Sequence, residues 1–436
     1  MLDPATAAIL AIAFVGFLLV AGAQIGVSLG LGGLLGMYLT VGPFAANAQL
    51  ATVPFSTTNS FTLAVIPLFI LMGSLATQAR LTTDLYNAAY NWVSRMPGGL
   101  AMTTTIASAA FGAASGSTIV NAAVFTRMAM PEMTKLGYDK RLSSGCIAAS
   151  GTLAALIPPS VLMVIYALIT EQSVGILLVA GLVPGILTAI VFLVGIYVMV
   201  KRRPELAPMP TDAIPLSKKL SSLKNVWGTV FLFTLVIGGI YGGFFVPTYA
   251  GAVGAFGALL IVILKRRAQR GVLAETVRDA VLTSATIFTV VIGGILFARF
   301  LTYTGLVTTI SDSILAWDLP PLAYFATFAL LFLILGMFIE PIAIMIMTLP
   351  VMFPVMTSVG YDPIWLGVIA VKMAEISLIT PPVGLNVYVV RSSSPVPLTL
   401  GQVFSGVFPF IVMEIIVLFL LVMFPSIVTF LPNLAR

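Results

Sequence analysis

Ser115, Ser117, Thr118 and Asn121 put four hydrogen-bonding side chains and Gly116 into "SGSTIVNA", between two apolar stretches. Hydroxyls and loop carbonyls are hard oxygen donors that suit Na⁺. Backbone N–H groups at the start of a helix suit a carboxylate. The alternative is close helix packing through Ala113, Gly116 and Ser117. A second feature is "GTLAALIPPSV", where Pro158-Pro159 frees the carbonyls near Ala154 and Ala155 by removing their helical donors. "AEISLITPPVGLNVYV" repeats that break at Pro381-Pro382. Matching breaks in two segments point to the midplane site of a transporter, whereas a single break reads as a kink.

The remaining chemistry lies in charges within apolar segments, which are costly there and functional by default. Glu340 sits in "MFIEPIA", aligned with Ser117 of the earlier stretch. Lys372 and Glu375, one turn apart, either neutralise each other or bind something. Glu414 has an apolar neighbourhood and no evident partner. There is no Walker sequence, dinucleotide fingerprint, nucleophile elbow or Cys/His metal spacing. Histidine is absent and Cys146 is the only cysteine, which excludes an intrachain disulfide and removes the usual proton shuttle. The chain reads as no enzyme, and any transport as secondary, with Na⁺ favoured over H⁺ by the hydroxyl- and carbonyl-rich stretches.

The elements that must position these groups are membrane helices. Of 436 residues 59% are hydrophobic and 8% charged, against about 25% charged in soluble domains. Alternation expected of a β-barrel is absent. The first cation is Arg80, so no cleavable leader is evident.

A repeat organises the chain. "PEMTKLGYD" (131–139) and "PVMTSVGYD" (354–362) share six of nine residues at an offset of 354 − 131 = 223. The same offset carries Pro97 onto Pro320 and Pro158-Pro159 onto Pro381-Pro382. Residues 1–200 read as spans 7–22, 25–42 and 62–79, an amphipathic segment 81–95, a short apolar pair 97–131, an interrupted span 142–170 and a final span 174–200. Residues 226–436 read as spans 226–243, 248–264 and 281–300, amphipathic 304–318, a short pair 320–354, an interrupted span 364–390 and a final span 404–430. Each arm of a short pair has about 15 residues, roughly 22 Å of helix, too short for a ~30 Å hydrocarbon core. Each pair therefore reads as a re-entrant hairpin, leaving five crossings per half and oppositely oriented repeats.

Charge gives the same answer. "KLGYDKR" carries three cations and one anion, its counterpart "SVGYDP" one anion and no cation. The first belongs in the cytoplasm with the basic linker 201–225, and both termini belong outside it. The fold expected is an all-α polytopic membrane protein of two inverted repeats, each with a re-entrant hairpin and a discontinuous helix.

"FGAASGSTIVNAAVF", "GTLAALIPPS" and "AEISLITPPVGLNVYV" resemble the large membrane subunit of tripartite ATP-independent periplasmic (TRAP) transporters, over essentially the whole chain. The resemblance implies an elevator-type transporter of the bacterial or archaeal inner membrane, which takes up an organic acid with Na⁺ as coupling ion. It also implies a small four-helix membrane subunit and a periplasmic substrate-binding protein as partners. One sodium site would involve Ser115 with carbonyls near Gly112, Ala154, Ile157 and Pro159. A second would involve the Gly336–Glu340 stretch with Thr380 and Gly384. Substrate would lie near Ser117, Thr118, Asn121 and Asn386. Without the resemblance, a stand-alone dicarboxylate/sodium symporter, an ion exchanger or a non-transporting membrane scaffold also fit.

Overall fold

The computed structural model describes residues 2–210 and 214–434, and among them every regular element is helical. The first half comprises α1 (Pro4–Val20), α2 (Ile25–Thr40), α3 (Pro43–Thr58), α4 (Val65–Gln78), α5 (Leu81–Val93), α6 (Gly99–Ser115), α7 (Thr118–Lys135), α8 (Lys140–Thr152), α9 (Val161–Thr170) and α10 (Val174–Arg202). A helix in the linker, α11 (Leu216–Asn225), leads to α12 (Trp227–Phe233), a π-helical turn at Thr234–Gly238 and α13 (Gly239–Tyr241). Then follow α14 (Pro247–Leu264), α15 (Arg270–Tyr303), α16 (Leu306–Leu315), α17 (Pro321–Gly336), α18 (Pro341–Ser358), α19 (Pro363–Ile379), α20 (Leu385–Ser393), α21 (Leu400–Met423) and α22 (Ser426–Leu434).

The 223-residue offset carries α2 onto α14 and α5–α10 onto α16–α21. The matched sequence motif has a local cause. Gly137 (φ 78°) and Gly360 (φ 96°) end α7 and α18 in the left-handed conformation, which glycine adopts without a Cβ penalty. Asp139 then caps α8 by accepting from the N–H groups of Arg141 and Leu142, and Asp362 caps α19 by accepting from Ile364 and Trp365. The motif is a helix stop followed by a helix start.

The elements depart from the sequence reading in four places. α3 was not anticipated, because Asn47, Gln49 and Pro54 interrupt its apolar pattern. It packs on α2 and α15, where Arg299 of α15 donates to the Gln49 side-chain Oε1 and Gln49 Nε2 donates to the Tyr303 hydroxyl at 3.2 Å. Its counterpart in the second half is the start of α15, one unbroken helix of 34 residues where the first half has two. The hairpin arms are also longer than about 15 residues: α6, α7, α17 and α18 have 17, 18, 16 and 18. α7 runs through Pro131 and α18 through Pro354, which mark the arm ends in the sequence. The final span divides at Phe424-Pro425 into α21 and α22.

Packing separates the helices into two groups. In one, α2 lies on α15 and α14 on α4 through small residues. A methyl group on Gly26 would lie 2.4 Å from the Thr289 carbonyl oxygen, and one on Gly33 would lie 2.7 Å from α15 backbone. Such close approach is how membrane helices gain packing without a hydrophobic drive between them. In the other group the hairpins α6–α7 and α17–α18 surround the interrupted helices α8–α9 and α19–α20, with α10 and α21 outside them. There α8 meets α21 so closely that a methyl on Gly145 would fall 2.1 Å from Gly406 backbone. α5 packs on α6 and α16 on α18, joining the groups.

The linker also has structure. The N–H of Asp139 donates to the Leu206 carbonyl at 2.9 Å, and α11 packs against α5 with Lys219 Nζ 5.9 Å from the Trp92 ring centre.

Candidate functional site: a cleft between two hairpin tips

The first hairpin turns at Gly116, whose φ of 60° ends α6. Ser117 is extended and starts α7, its Oγ accepting from the Val120 N–H at 3.4 Å. This tip rests on the break in the α8–α9 helix. A methyl on Gly112 would lie 2.8 Å from the Ala154 Cα, and one on Gly116 2.7 Å from the Pro159 carbonyl oxygen. The chain passes from α8 through a 3₁₀ turn, Leu153–Ala155, to a bend carrying Ile157, Pro158 and Pro159. Ser160 repairs part of the break by donating to the Ala155 carbonyl and accepting from the Met163 N–H at 3.3 Å. Among the described residues, no hydrogen bond falls on the carbonyls of Ile157 and Pro159. Ser115 Oγ is buried beside this break and has no hydrogen-bond partner. Buried hydroxyls are normally satisfied, so the free hydroxyl on the tip and the free carbonyls in the break beneath it are oxygens of the kind a cation takes.

The second tip is built the same way from different residues. α17 ends at Gly336, where a methyl would lie 2.2 Å from Ser377 Oγ. Ser377 occupies the repeat position of Ala154, since 154 + 223 = 377. A turn through Met337–Ile339 leads to Glu340, which precedes Pro341 at the start of α18 without capping it by its side chain. In the facing break Thr380 is extended, its Oγ1 donating to the Ile376 carbonyl at 2.6 Å. Gly384 (φ 56°) starts α20.

Both tips open onto one cleft of about 350 Å³. Ser115, Gly116, Ser117 and Thr118 form one side and Glu340, Pro341 and Ile342 another. Ile70, Gly73 and Ser74 of α4 and Thr283, Thr286 and Ile287 of α15 close it from the other helix group. Among the described residues, Glu340 is the one charged side chain in this wall. The sequence reading missed the α4 and α15 residues. Their signal was the hydroxyl run Thr283, Ser284, Thr286 and Thr289 inside an otherwise apolar span.

The expected site residues therefore divide by position. Ser115, Ser117, Thr118 and Glu340 border the cleft. Gly112, Ala154, Ile157 and Pro159 lie under the first tip, and Gly336, Thr380 and Gly384 around the second. Asn121 and Asn386 are fully buried within helix packing. Asn121 donates to the Ser108 carbonyl at 3.0 Å, and its Oδ1 lies 3.1 Å from Ser108 Oγ, tying the arms of the first hairpin together. Asn386 donates to the Ala148 carbonyl at 3.2 Å, joining α20 to α8.

One expectation is corrected outright. Glu414, which had no evident partner, contacts Lys372, because α21 packs against α19. Lys372 also meets Glu375 at 2.9 Å, the first of the two readings that their spacing on one helix leaves open.

The sequence matches the family described as "Tripartite ATP-independent periplasmic transporter, DctM component" over residues 11–427. It is 35% identical to the C4-dicarboxylate TRAP transporter large permease protein DctM of Pseudomonas aeruginosa, covering 93% of this chain and 94% of that one. It is 32% identical to the sialic acid TRAP transporter large permease protein SiaM of Vibrio cholerae, covering 96% of each. Among solved structures, that of the YdaH transporter of Alcanivorax borkumensis superposes with a TM-score of 0.58 at 14% identity, over 88% of this chain and 90% of that one, a likeness of fold. With two repeats, two hairpin tips on one cleft and near full-length relatives, the chain belongs to the DctM family of TRAP transporter large permeases, multi-pass membrane proteins that carry solutes rather than catalyse reactions.

Proposed function

We propose that this chain is the sodium-coupled large permease of a three-component uptake system for an organic acid. The observation that carries the proposal is the convergence of both hairpin tips on one cleft, each tip resting on a broken helix at positions related by the repeat. One Na⁺ would be held by Ser115 with carbonyls of Gly112, Ala154, Ile157 and Pro159. Another would be held by the Gly336–Glu340 turn with Thr380 and Gly384. Na⁺ bound there would supply the positive charge that the cleft wall lacks.

That charge matters because Glu340 would otherwise repel a carboxylate substrate. The Thr118 and Pro341 ends of α7 and α18 face the cleft, and the free N–H groups and dipole of such helix starts favour anions. Names of relatives include C4-dicarboxylate and sialic acid carriers, both carboxylates. The hairpin group would move as one body against α2, α4, α14 and α15, carrying the cleft across the membrane as an elevator. A small four-helix membrane subunit and a periplasmic binding protein would complete the system in the inner membrane, with both termini on the periplasmic side.

The test is uptake into proteoliposomes holding the chain and the small subunit, with the binding protein added outside. Uptake that needs an inward Na⁺ gradient and all three components is expected. Uptake by the chain alone would make it a stand-alone symporter. No uptake, with no effect of Na⁺ on stability, would make it a scaffold.

A further inference from the structure

Lys372, Glu375 and Glu414 have no solvent exposure. They lie on α19 and α21 inside the hairpin group, and none of them lines the cleft. Lys372 Nζ is 2.9 Å from Glu375 Oε2, 3.0 Å from Thr188 Oγ1 and in contact with Glu414 Oε2. An ammonium has three N–H donors and no acceptor. Thr188 Oγ1 and Glu375 Oε2 each accept from the nitrogen, and Glu414 Oε2 lies against it without a hydrogen bond, so Lys372, surrounded by oxygens, is cationic.

Two ionised carboxylates beside one ammonium would leave a net charge of −1 sealed from water, which a low-dielectric interior opposes strongly. Nothing nearby offsets that charge. On the packed helices the other charged side chains are Lys140 and Arg141 in the first turn of α8, Lys201 and Arg202 in the last turn of α10, and Arg391 near the end of α20. Those on α8 and α10 stand about three turns or more from Thr152 and Thr188 along their helices. The remaining titratable groups on these helices, tyrosines such as Tyr166 and the thiol of Cys146, are neutral when protonated.

Hydrogen-bond geometry locates the missing positive charge. Thr152 has one hydroxyl hydrogen and two oxygens in reach, the Ala149 carbonyl at 2.7 Å and Glu414 Oε1 at 3.4 Å, and the shorter contact takes it. Its 3.4 Å contact with Glu414 Oε1 is then a hydrogen bond only if the Glu414 carboxyl donates. Thr188 behaves alike, donating to the Pro184 carbonyl at 2.9 Å and accepting from Lys372. Glu375 Oε1 is buried without any partner, so a proton on it would have no acceptor; Glu414 Oε2 also lacks a hydrogen bond, which leaves Oε1, facing Thr152, as the place of a proton on Glu414.

We infer that Glu414 holds a proton while Glu375 is the ionised counter-ion of Lys372, so that the three side chains form a neutral proton-binding site separate from the cleft. With the proton bound the charges are +1, −1 and 0; its release to water leaves −1. The inference does not rest on the sodium reading of the tips.

Infrared spectroscopy of the full chain purified in detergent at neutral pH tests it, in an E340Q background that removes the other carboxyl of the membrane core. A carbonyl-stretch band of a protonated carboxylic acid is expected in E340Q and lost in E340Q/E414Q, where Glu375 alone neutralises Lys372. The E414Q variant should keep the wild-type melting temperature, because an amide there can donate to Thr152 and accept from Lys372. The E375Q variant should melt lower, because Glu414 must then give up its proton and its bond to Thr152 to become the counter-ion of Lys372. Absence of the band in E340Q, or equal destabilisation by E414Q and E375Q, overturns the inference. Should E375Q fail to fold, the comparison of E340Q with E340Q/E414Q decides alone.

Discussion

Gly73 of α4 lies so close to Ser115 at the first hairpin tip that a methyl on Gly73 would stand 2.8 Å from the Ser115 Cα. Here the two helix groups touch at the edge of the cleft. Gly73→Val is expected to push α4 away from the tip, at a cost of about 1–3 kcal/mol typical of overpacking. Uptake should fall about tenfold or more, since 1.4 kcal/mol is a factor of ten. Wild-type uptake with a wild-type melting temperature in G73V would show that the contact has no role.

Ser115→Ala removes a hydroxyl that forms no hydrogen bond within the protein. Folding stability should therefore change by less than about 1 kcal/mol, the usual value of a hydrogen bond that does exist. The Na⁺ concentration for half-maximal uptake should rise about tenfold, as expected for loss of an interaction worth about 1.4 kcal/mol. Thermal unfolding and a Na⁺ titration of uptake separate the two effects, and an unchanged Na⁺ response would assign Ser115 to packing.

At the second tip Gly336 faces Ser377. Gly336→Ala should destabilise the chain by about 1–3 kcal/mol through overpacking, and Ser377→Gly in the same chain should return part of that loss. A double-mutant cycle measures the coupling. Simple additivity of the two substitutions would mean that the tip does not rest on the break.

The orientation of the repeats can be read by labelling. Cys146 is fully buried, so single cysteines placed at the exposed Lys135 and Ser358, at the ends of α7 and α18, should dominate the signal. A membrane-impermeant thiol reagent is expected to reach K135C from the cytoplasmic side and S358C from the opposite one. Labelling of both from the same side contradicts inverted repeats.

The sequence made the repeat legible because its markers are residues with rigid backbone demands: Pro158-Pro159 and Pro381-Pro382 at the breaks, Gly137 and Asp139 with Gly360 and Asp362 at the turns. Such residues act locally, so their spacing survives translation into structure. α3 was hidden because Gln49 faces polar partners on α15, Arg299 and Tyr303, that lie far along the chain. The pairing of Glu414 with Lys372 was hidden for the same reason, since it depends on how α21 packs on α19. Asn121 shows a further limit. Its type and place suggested a ligand-binding side chain, while which way it points was decided by Ser108 on the neighbouring arm.

Those bonds to Ser108 bear on how the cleft can change. Ser108 Oγ also lies 2.9 Å from the Ser150 carbonyl of α8, so one buried residue fastens both arms of the first hairpin to the helix beneath. Lifting the hairpin alone would break the Ser108–Ser150 bond and the 2.9 Å contact of the Thr105 and Ser150 hydroxyls beside it, each costly to leave unmade. A hairpin pinned in this way is a wedge and not a flap. Any movement that opens the cleft to water must carry the tip and its broken helix together.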